Sequence, residues 1–375
     1  MRVLSVVTLI SPNGEYGGPV RVALNQAAAL RSDGHDVVVA GGARGFGRQL
    51  PREADGVPLK LFAAKTIVPG TGFAGLATPG LQRWIKQAAS GFDVVHVHAA
   101  RDLITLPLAG WLQQAGIPYV LQTHGMIDRS SHPLARPLDA MLTRRVLAGA
   151  RTVFYLTARE RQDLIDVGGA QLRLRELVNG VPASDRLAST DRGDATEVLF
   201  LARLAPRKRP LAFVEMAQRL SASFPDVTFT LVGPNEGEGA AVTHRIGTGT
   251  GSGTTRPQIA WEGPIAPELT RERMSRASIY VLPSVNEPFP MSVLEAMSLG
   301  LPVVITDTCG LAPAVQETGS GLVVDDTVDA LTDAVSSLLR DPSRAHSMGE
   351  AGEALSRDRF GMPAIAAALT DAYRS

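Results

Sequence analysis

Short apolar runs recur along the chain, each closed by Gly, Pro, Asn or Asp and followed by a longer segment of helical period. VLSVVT (3–8), DVVVAG (36–41), FDVVHVHA (92–99) and IPYVLQTHG (117–125) lie in the first half. VLFLA (198–202), FTLVGPN (229–235), IAWEGPI (259–265), IYVLPS (279–284), LPVVITD (301–307) and GLVVDD (321–326) lie in the second. Such continuous, β-branched runs predict strands buried on both faces, as in parallel sheets. Their alternation with helical segments, such as VRVALNQAAALRSDG with Gly34 at its stop, predicts an α/β fold. Two stretches break the pattern. Residues 42–90 are poorly patterned, with Gly and Pro recurring in PGTGFAGLATPG (69–80), and are expected to form a mobile region. The polar stretch SDRLASTDRGDATE (184–197) marks a domain boundary, after which the pattern restarts.

A chain of 375 residues suits two domains. Lys plus Arg and Asp plus Glu number 37 each, so no overall field favours nucleic acid. The single cysteine, Cys309, excludes an internal disulfide, suits a reducing compartment and reads as a small buried residue. The first apolar run is too short for a secretory leader, and no run approaches the ~18–20 residues that span a bilayer. A cytoplasmic protein is expected, with peripheral contact at the inner face of a membrane left open. His96 and His98 share one strand face by the period of two. With no third ligand visible in the sequence, zinc is discounted.

The most informative stretch is NEPFPMSVLEAMSLG (286–300), between two of the predicted strands. A helix beginning here, stopped by Gly300 and Pro302, offers free backbone N–H groups and a partial positive charge. That is a place for a phosphate. Glu287 stands before the helix and Glu295 about one turn inside it, where carboxylates can grip hydroxyls on either side of the anion. Two hydroxyl-bearing rings flanking a diphosphate describe a nucleotide sugar. Ser292-x-x-Glu295 equally fits a capping box, with Glu295 returning to the Ser292 N–H and Glu287 a plain loop acid.

EPFPMSVLEAM followed by GLPVVITD resembles the E-x7-E signature of the retaining glycosyltransferases of family 4. That resemblance implies the GT-B fold: two Rossmann-like, doubly wound parallel-sheet domains facing a central cleft. It implies an acceptor-side domain over residues 1–182, a nucleotide-sugar domain over 183–357, and a final helix, 358–375, returning to the first. The donor site would comprise Phe289, Pro290, Met291, Ser292 and Glu295, with Glu287 nearer the sugar. Where the family usually has Gly after the Phe, this chain has Pro290. Proline has no N–H to offer a phosphate but is favourable at a first helical position.

Other stretches join this resemblance. Gly17 and Gly18, expected before the first helix, match a Gly-Gly pair that lines the donor diphosphate; the G-x-G-x-x-G of dinucleotide binders is absent. THGM (123–126) resembles the stretch whose histidine, here His124, approaches the donor sugar. Arg203 and Lys208, in a strand-to-helix loop, can neutralise a diphosphate leaving group, and the family places an Arg and a Lys there for that task. Gly263, Pro264 and Ile265 resemble the backbone segment that reads the base.

The resemblance thus implies a retaining, metal-independent hexosyltransferase using no cofactor. His124, Arg203, Lys208 and Glu287 would carry the chemistry. The donor is expected to be a UDP- or GDP-sugar and the acceptor a glycan, glycolipid or lipid-linked glycan. Nine Arg against six acids over residues 128–176, with Arg144 and Arg145 on one predicted helix, could contact an anionic lipid-linked acceptor or be a solvated face. A GT-B sugar-nucleotide epimerase, a polysaccharide synthase and a non-catalytic nucleotide-sugar binding protein remain as alternatives. Inversion at C2 of free donor would identify the first.

Overall fold

The apolar runs form strands and the segments between them form helices in a computed structural model that describes residues 1–12, 17–47, 49–130, 135–182, 196–247 and 258–375. The chain divides into two compact units, Met1–Gly180 with Met362–Ser375, and Val181–Gly361. Most of the polar stretch 184–197 lies outside the described residues.

The first unit contains β1 (Arg2–Ile10), β2 (Asp36–Ala43), β3 (Glu53–Ala54), β4 (Val57–Ala63), the antiparallel pair β5 (Lys65–Thr66) and β6 (Leu76–Ala77), β7 (Val94–His98), β8 (Tyr119–Gln122), β9 (Val153–Tyr155) and β10 (Leu174–Glu176). Eight of them form one sheet, ordered β10-β9-β8-β7-β1-β2-β4-β3, parallel except at the β3–β4 edge. Alternate residues of β1 serve opposite faces. Leu4, Val6 and Leu9 enter one apolar cluster, with Leu81, Ile85 and Leu112. Val3 and Val7 enter the other, with Leu30 from helix Gly17–Ser32 and Ile365, Leu369 and Tyr373 from the terminal helix Met362–Arg374.

Two sequence expectations need correction. Residues 42–90 hold a seven-residue strand, β4, and a helix, Pro79–Ala88. Leu59 and Leu61 of the strand and Leu81 and Ile85 of the helix are buried in the core, so this stretch is built into the unit. Pro58 and Lys60 broke the apolar run and hid the strand. The first helix begins at Gly17, so Gly17 and Gly18 open it and do not precede it. Residues 13–16 of the loop before it lie outside the described residues.

The second unit contains β11 (Glu197–Leu201), β12 (Thr228–Val232), β13 (Ile259–Trp261), β14 (Ile279–Leu282), β15 (Val303–Thr306) and β16 (Gly321–Val324). They form a wholly parallel sheet ordered β13-β12-β11-β14-β15-β16. From β11 the chain winds outward one way, then returns to β14 and winds the other way. The pair β11/β14 is therefore the point where strand order reverses, which in open α/β sheets is where ligands bind beyond the carboxyl ends of the strands. Phe200, Phe213, Phe229 and Tyr280 are fully buried around this sheet. Thr327 caps helix Val328–Arg340 by accepting from the Ala330 N–H.

Candidate functional site

The loops after β11 and β14 meet at the reversal point. After β11 the chain makes a 3-10 turn, Pro206–Lys208, and Arg209 takes a left-handed φ of 54° before helix Pro210–Ser221. After β14, Asn286 is also left-handed at φ 51°, a conformation asparagine tolerates better than most residues. The Val285 N–H donates to the Arg207 carbonyl at 3.0 Å. Arg207 Nη1 donates to the Asn286 carbonyl at 3.1 Å.

These contacts bring Lys208 and Glu287 together. Lys208 Nζ lies 2.6 Å from Glu287 Oε2, and the two residues are 9% and 8% exposed. Arg207 Nη1 approaches the same oxygen at 3.5 Å from a half-exposed position. Burial pulls the Lys208 ammonium below its ordinary range, and Glu287 opposes that pull. Arg203, five residues earlier on the same loop, is held by both Glu236 oxygens at 2.8 and 2.7 Å. Both cations expected to meet a diphosphate are thus paired with carboxylates. Glu236 stands just beyond β12, where the Glu236 N–H donates to the Leu204 carbonyl at 3.1 Å. The sequence offered only an acid near a strand end as its signal.

Helix Met291–Ser298 starts beside this pair. Its N-cap is Pro290, at φ −74° and ψ 112°, and no side chain caps it. Ser292 is therefore inside the helix, so the capping box with Glu295 does not form, and Pro290 is not the first helical residue. The uncapped N–H groups of the first turn and the helix dipole are what an anion meets there. Tyr280, fully buried on β14, donates its hydroxyl to the Leu201 carbonyl at the end of β11 at 3.0 Å. Burial raises its pKa, a hydrogen bond with Ser292 opposes the rise, and the charges of Glu295 and Glu287 add to it. Phe289 packs edge-on against Phe360, ring centroids 5.8 Å apart. Cys309 is buried, and burial pushes its thiol up to about 12.

The segment after β13 lies on the other side of β11. Gly263 is left-handed at φ 81°, and its carbonyl accepts from the Gly233 N–H at 2.9 Å; Pro264 is exposed and Ile265 half-buried beside it. Gly233 has φ 146°, and a Cβ there would lie 2.0 Å from the Ala202 carbonyl oxygen. Only glycine lets the chain turn after β12 this close to the segment that leads from β11 to Arg203.

Gly17, Gly18 and His124 belong to the first unit. The two glycines begin the helix after β1, and His124 follows β8 at a left-handed φ of 52°. Glu160 fixes that turn. Its Oε1 accepts from the Thr123 hydroxyl and the Gly125 N–H, both at 2.5 Å, and its Oε2 from the Leu156 N–H at 2.6 Å. Its helix, Ala158–Gly168, is capped by Thr157, which accepts from the Glu160 N–H. Thr157-x-x-Glu160 is the sequence signature that would have pointed to this residue. A further histidine lies beside His124: its Nε2 is 2.8 Å from His98 Nδ1. The sequence showed no third histidine near His96 and His98, and the fold supplies one. Among the described residues, no group of three or more His, Cys, Asp or Glu could hold a metal ion. No helix among them is long and apolar enough to cross a membrane.

Two family models match the chain. A glycosyl transferase 4-like domain covers residues 17–180, and glycosyl transferases group 1 covers residues 185–355. Among curated proteins, the chain is 28% identical over 362 residues to the D-inositol 3-phosphate glycosyltransferase of Kineococcus radiotolerans, covering 86% of this chain and 81% of that protein. It is 29% identical over 356 residues to D-inositol 3-phosphate glycosyltransferase 2 of Catenulispora acidiphila, covering 86% and 82%. Among solved structures, Anabaena HepE in complex with UDP and glucose superposes with a TM-score of 0.76 at 18% identity, over 99% of this chain and 98% of that one. Sucrose-phosphate synthase from Thermosynechococcus elongatus gives 0.73 at 19% identity, over 100% and 98%. At these identities the structural likeness establishes the fold.

Proposed function

The chain belongs among the GT-B glycosyltransferases related to the group 1 family and moves a sugar from a nucleoside-diphosphate sugar to an acceptor; on that premise we propose that the donor is a UDP-hexose, transferred with retention of its anomeric configuration and without a metal. The observation that carries this reading is the buried Lys208–Glu287 pair at 2.6 Å, at the reversal point of the second sheet and beside the uncapped start of helix Met291–Ser298. A diphosphate seated on that helix start receives its N–H groups, the Lys208 ammonium and, on exchange of partner, the Arg203 guanidinium. As the glycosidic bond breaks, negative charge grows on the diphosphate, and these groups act most strongly in the transition state. Glu287, already neutralised by Lys208, is a poor nucleophile, which favours same-face substitution over a covalent glycosyl-enzyme.

Uridine as the base is supported by the complexes of HepE with UDP and with UDP-glucose. For the acceptor we propose the hydroxyl of a glycan or lipid-linked glycan. A second reading, a small phosphorylated polyol, is favoured by the names of the curated relatives. The test is to incubate the protein with UDP-, GDP- and ADP-glucose in excess EDTA, each with a glycan, a lipid-linked glycan or D-inositol 3-phosphate, and to read the product by proton NMR. An α-linked product from UDP-glucose is expected. A β-linked product, or a need for added Mg²⁺ or Mn²⁺, would overturn the proposal. C2 inversion of the donor without transfer would point to an epimerase.

A further inference from the structure

Three histidine rings stand in a row in the first unit. His96 and His98 stack with centroids 4.5 Å apart and planes at 15°, and His98 and His124 stack at 5.1 Å and 9°. The row begins beneath the terminal helix, where His96 Nδ1 meets the Tyr373 hydroxyl at 2.8 Å, and ends at the strand-end turn that carries His124. Burial holds His96 and His124 at about 3 and His98 well below its ordinary value, so all three rings are neutral near pH 7. A neutral imidazole has one N–H and one bare nitrogen, and the partner of one nitrogen decides the role of the other.

Two proton arrangements fit the distances. His98 Nε2 lies 3.1 Å from Ser5 Oγ, and His98 Nδ1 lies 2.8 Å from His124 Nε2. In the first, the Ser5 hydroxyl donates to His98 Nε2, His98 Nδ1–H donates to His124 Nε2, and His124 presents Nδ1–H. In the second every direction reverses, and His124 presents a bare Nδ1. Ser5 decides between them. It is 5% exposed, and His98 Nε2 is its side chain's one hydrogen-bond partner among the described residues. Reversal would leave the Ser5 O–H buried with no acceptor, whereas the first arrangement satisfies every buried donor in the chain of bonds.

We propose that Ser5 and His98 are positioning residues that lock His124 in its Nδ1–H form, making it a hydrogen-bond donor and not a general base. This rests on the reading that the transfer reaction uses His124. Its chemical consequence is that His124 meets a lone pair, such as that of a sugar hydroxyl oxygen. Glu160, gripping residues 123 and 125, fixes where the ring stands, and His98 fixes which nitrogen carries the proton.

The direct test needs no variant beyond one for assignment. In two-bond proton–nitrogen correlation spectra of the ¹⁵N-labelled ligand-free protein, the signals lost in His124→Gln are expected to show protonated Nδ1 and bare Nε2. The opposite pattern overturns the proposal. Kinetically, His98→Phe should lower kcat by about 10–100-fold, the range known where an outer partner sets a histidine's tautomer, with UDP affinity unchanged. His98→Asn places an amide N–H donor where Nδ1–H stood and should recover most of the loss. An unchanged kcat in His98→Phe, or no recovery in a folded His98→Asn, would also overturn the proposal. If His124→Ala itself turns over like the native protein, the reading beneath the proposal fails while the spectrum still reports the tautomer.

Discussion

Removing one member of the Lys208–Glu287 pair should cost more stability than removing both. The two groups are about nine-tenths buried and 2.6 Å apart. Lys208→Met leaves a carboxylate in the interior, answered among the described residues by the half-exposed Arg207 at 3.5 Å. Breaking a buried pair from one side costs about 3–5 kcal/mol, and Arg207 sets the expectation at the low end, about 3 kcal/mol. For a unit of this size, each kcal/mol moves the melting point about 2–4 °C, so a fall of about 6–12 °C is expected. Glu287→Leu should fall similarly, because the Lys208 ammonium then has no counter-charge. The double variant Lys208→Met with Glu287→Leu replaces the pair with apolar groups of similar volume and should return to within about 1 kcal/mol of the native protein. Calorimetry of the ligand-free protein reads all three. Single variants as stable as the native protein, or a double variant losing the sum of the two, would refute the reasoning. The pair would then be a surface-like contact and not a buried one held for function.

Other expectations follow from the same structure. His96, His98 and His124 have folded pKa values far below their unfolded value of about 6.5. The unfolded chain therefore binds more protons below pH 6.5, and stability falls as pH falls. Three such groups account for up to about 4 kcal/mol between pH 7.5 and 5.5, less the opposing effect of Asp102 and Glu160, whose raised pKa values favour the folded state on acidification. A melting point that stays level or rises across that range would contradict the burial of the row. Glu295→Gln should weaken UDP by about 1–2 kcal/mol, whereas Glu287→Gln should spare UDP and damage transfer; isothermal titration separates them, and normal UDP binding by Glu295→Gln removes it from the ribose. Gly233→Ala drives a Cβ to 2.0 Å from the Ala202 oxygen at φ 146° and should cost about 3 kcal/mol or more; a melting point within 2 °C of native would show that β12 can shift away.

The strands with continuous β-branched runs were readable from the sequence because both faces are buried and no polar residue interrupts them. β4 was not, because Pro58 and Lys60 sit in it. The strand–turn–helix–strand around Glu287 and Glu295 was readable down to the helix stop at Gly300, which the structure gives φ 69°. The helix start was not, since Ser292-x-x-Glu295 imitates a cap, whereas the N-cap is Pro290. The glycine pair was read as a loop because Gly disfavours helix interiors, but the first turn tolerates it. What no local pattern carries is pairing across distance. Glu236 lies 33 residues from Arg203, Glu287 lies 79 from Lys208, and His98 lies 26 from His124. Those partnerships are set by strand order, which only the folded sheets reveal.

The central claim is that Lys208 and the helix start beside it stabilise a departing diphosphate. Its most direct test is the turnover number of Lys208→Met with saturating UDP-glucose, set beside the affinity of the same variant for UDP. Loss of one such contact should lower turnover by about 100–1,000-fold, or about 2.7–4 kcal/mol in the barrier, while UDP binding weakens far less. A folded variant that keeps native turnover, or one whose UDP affinity falls by as much as its turnover, would contradict the account.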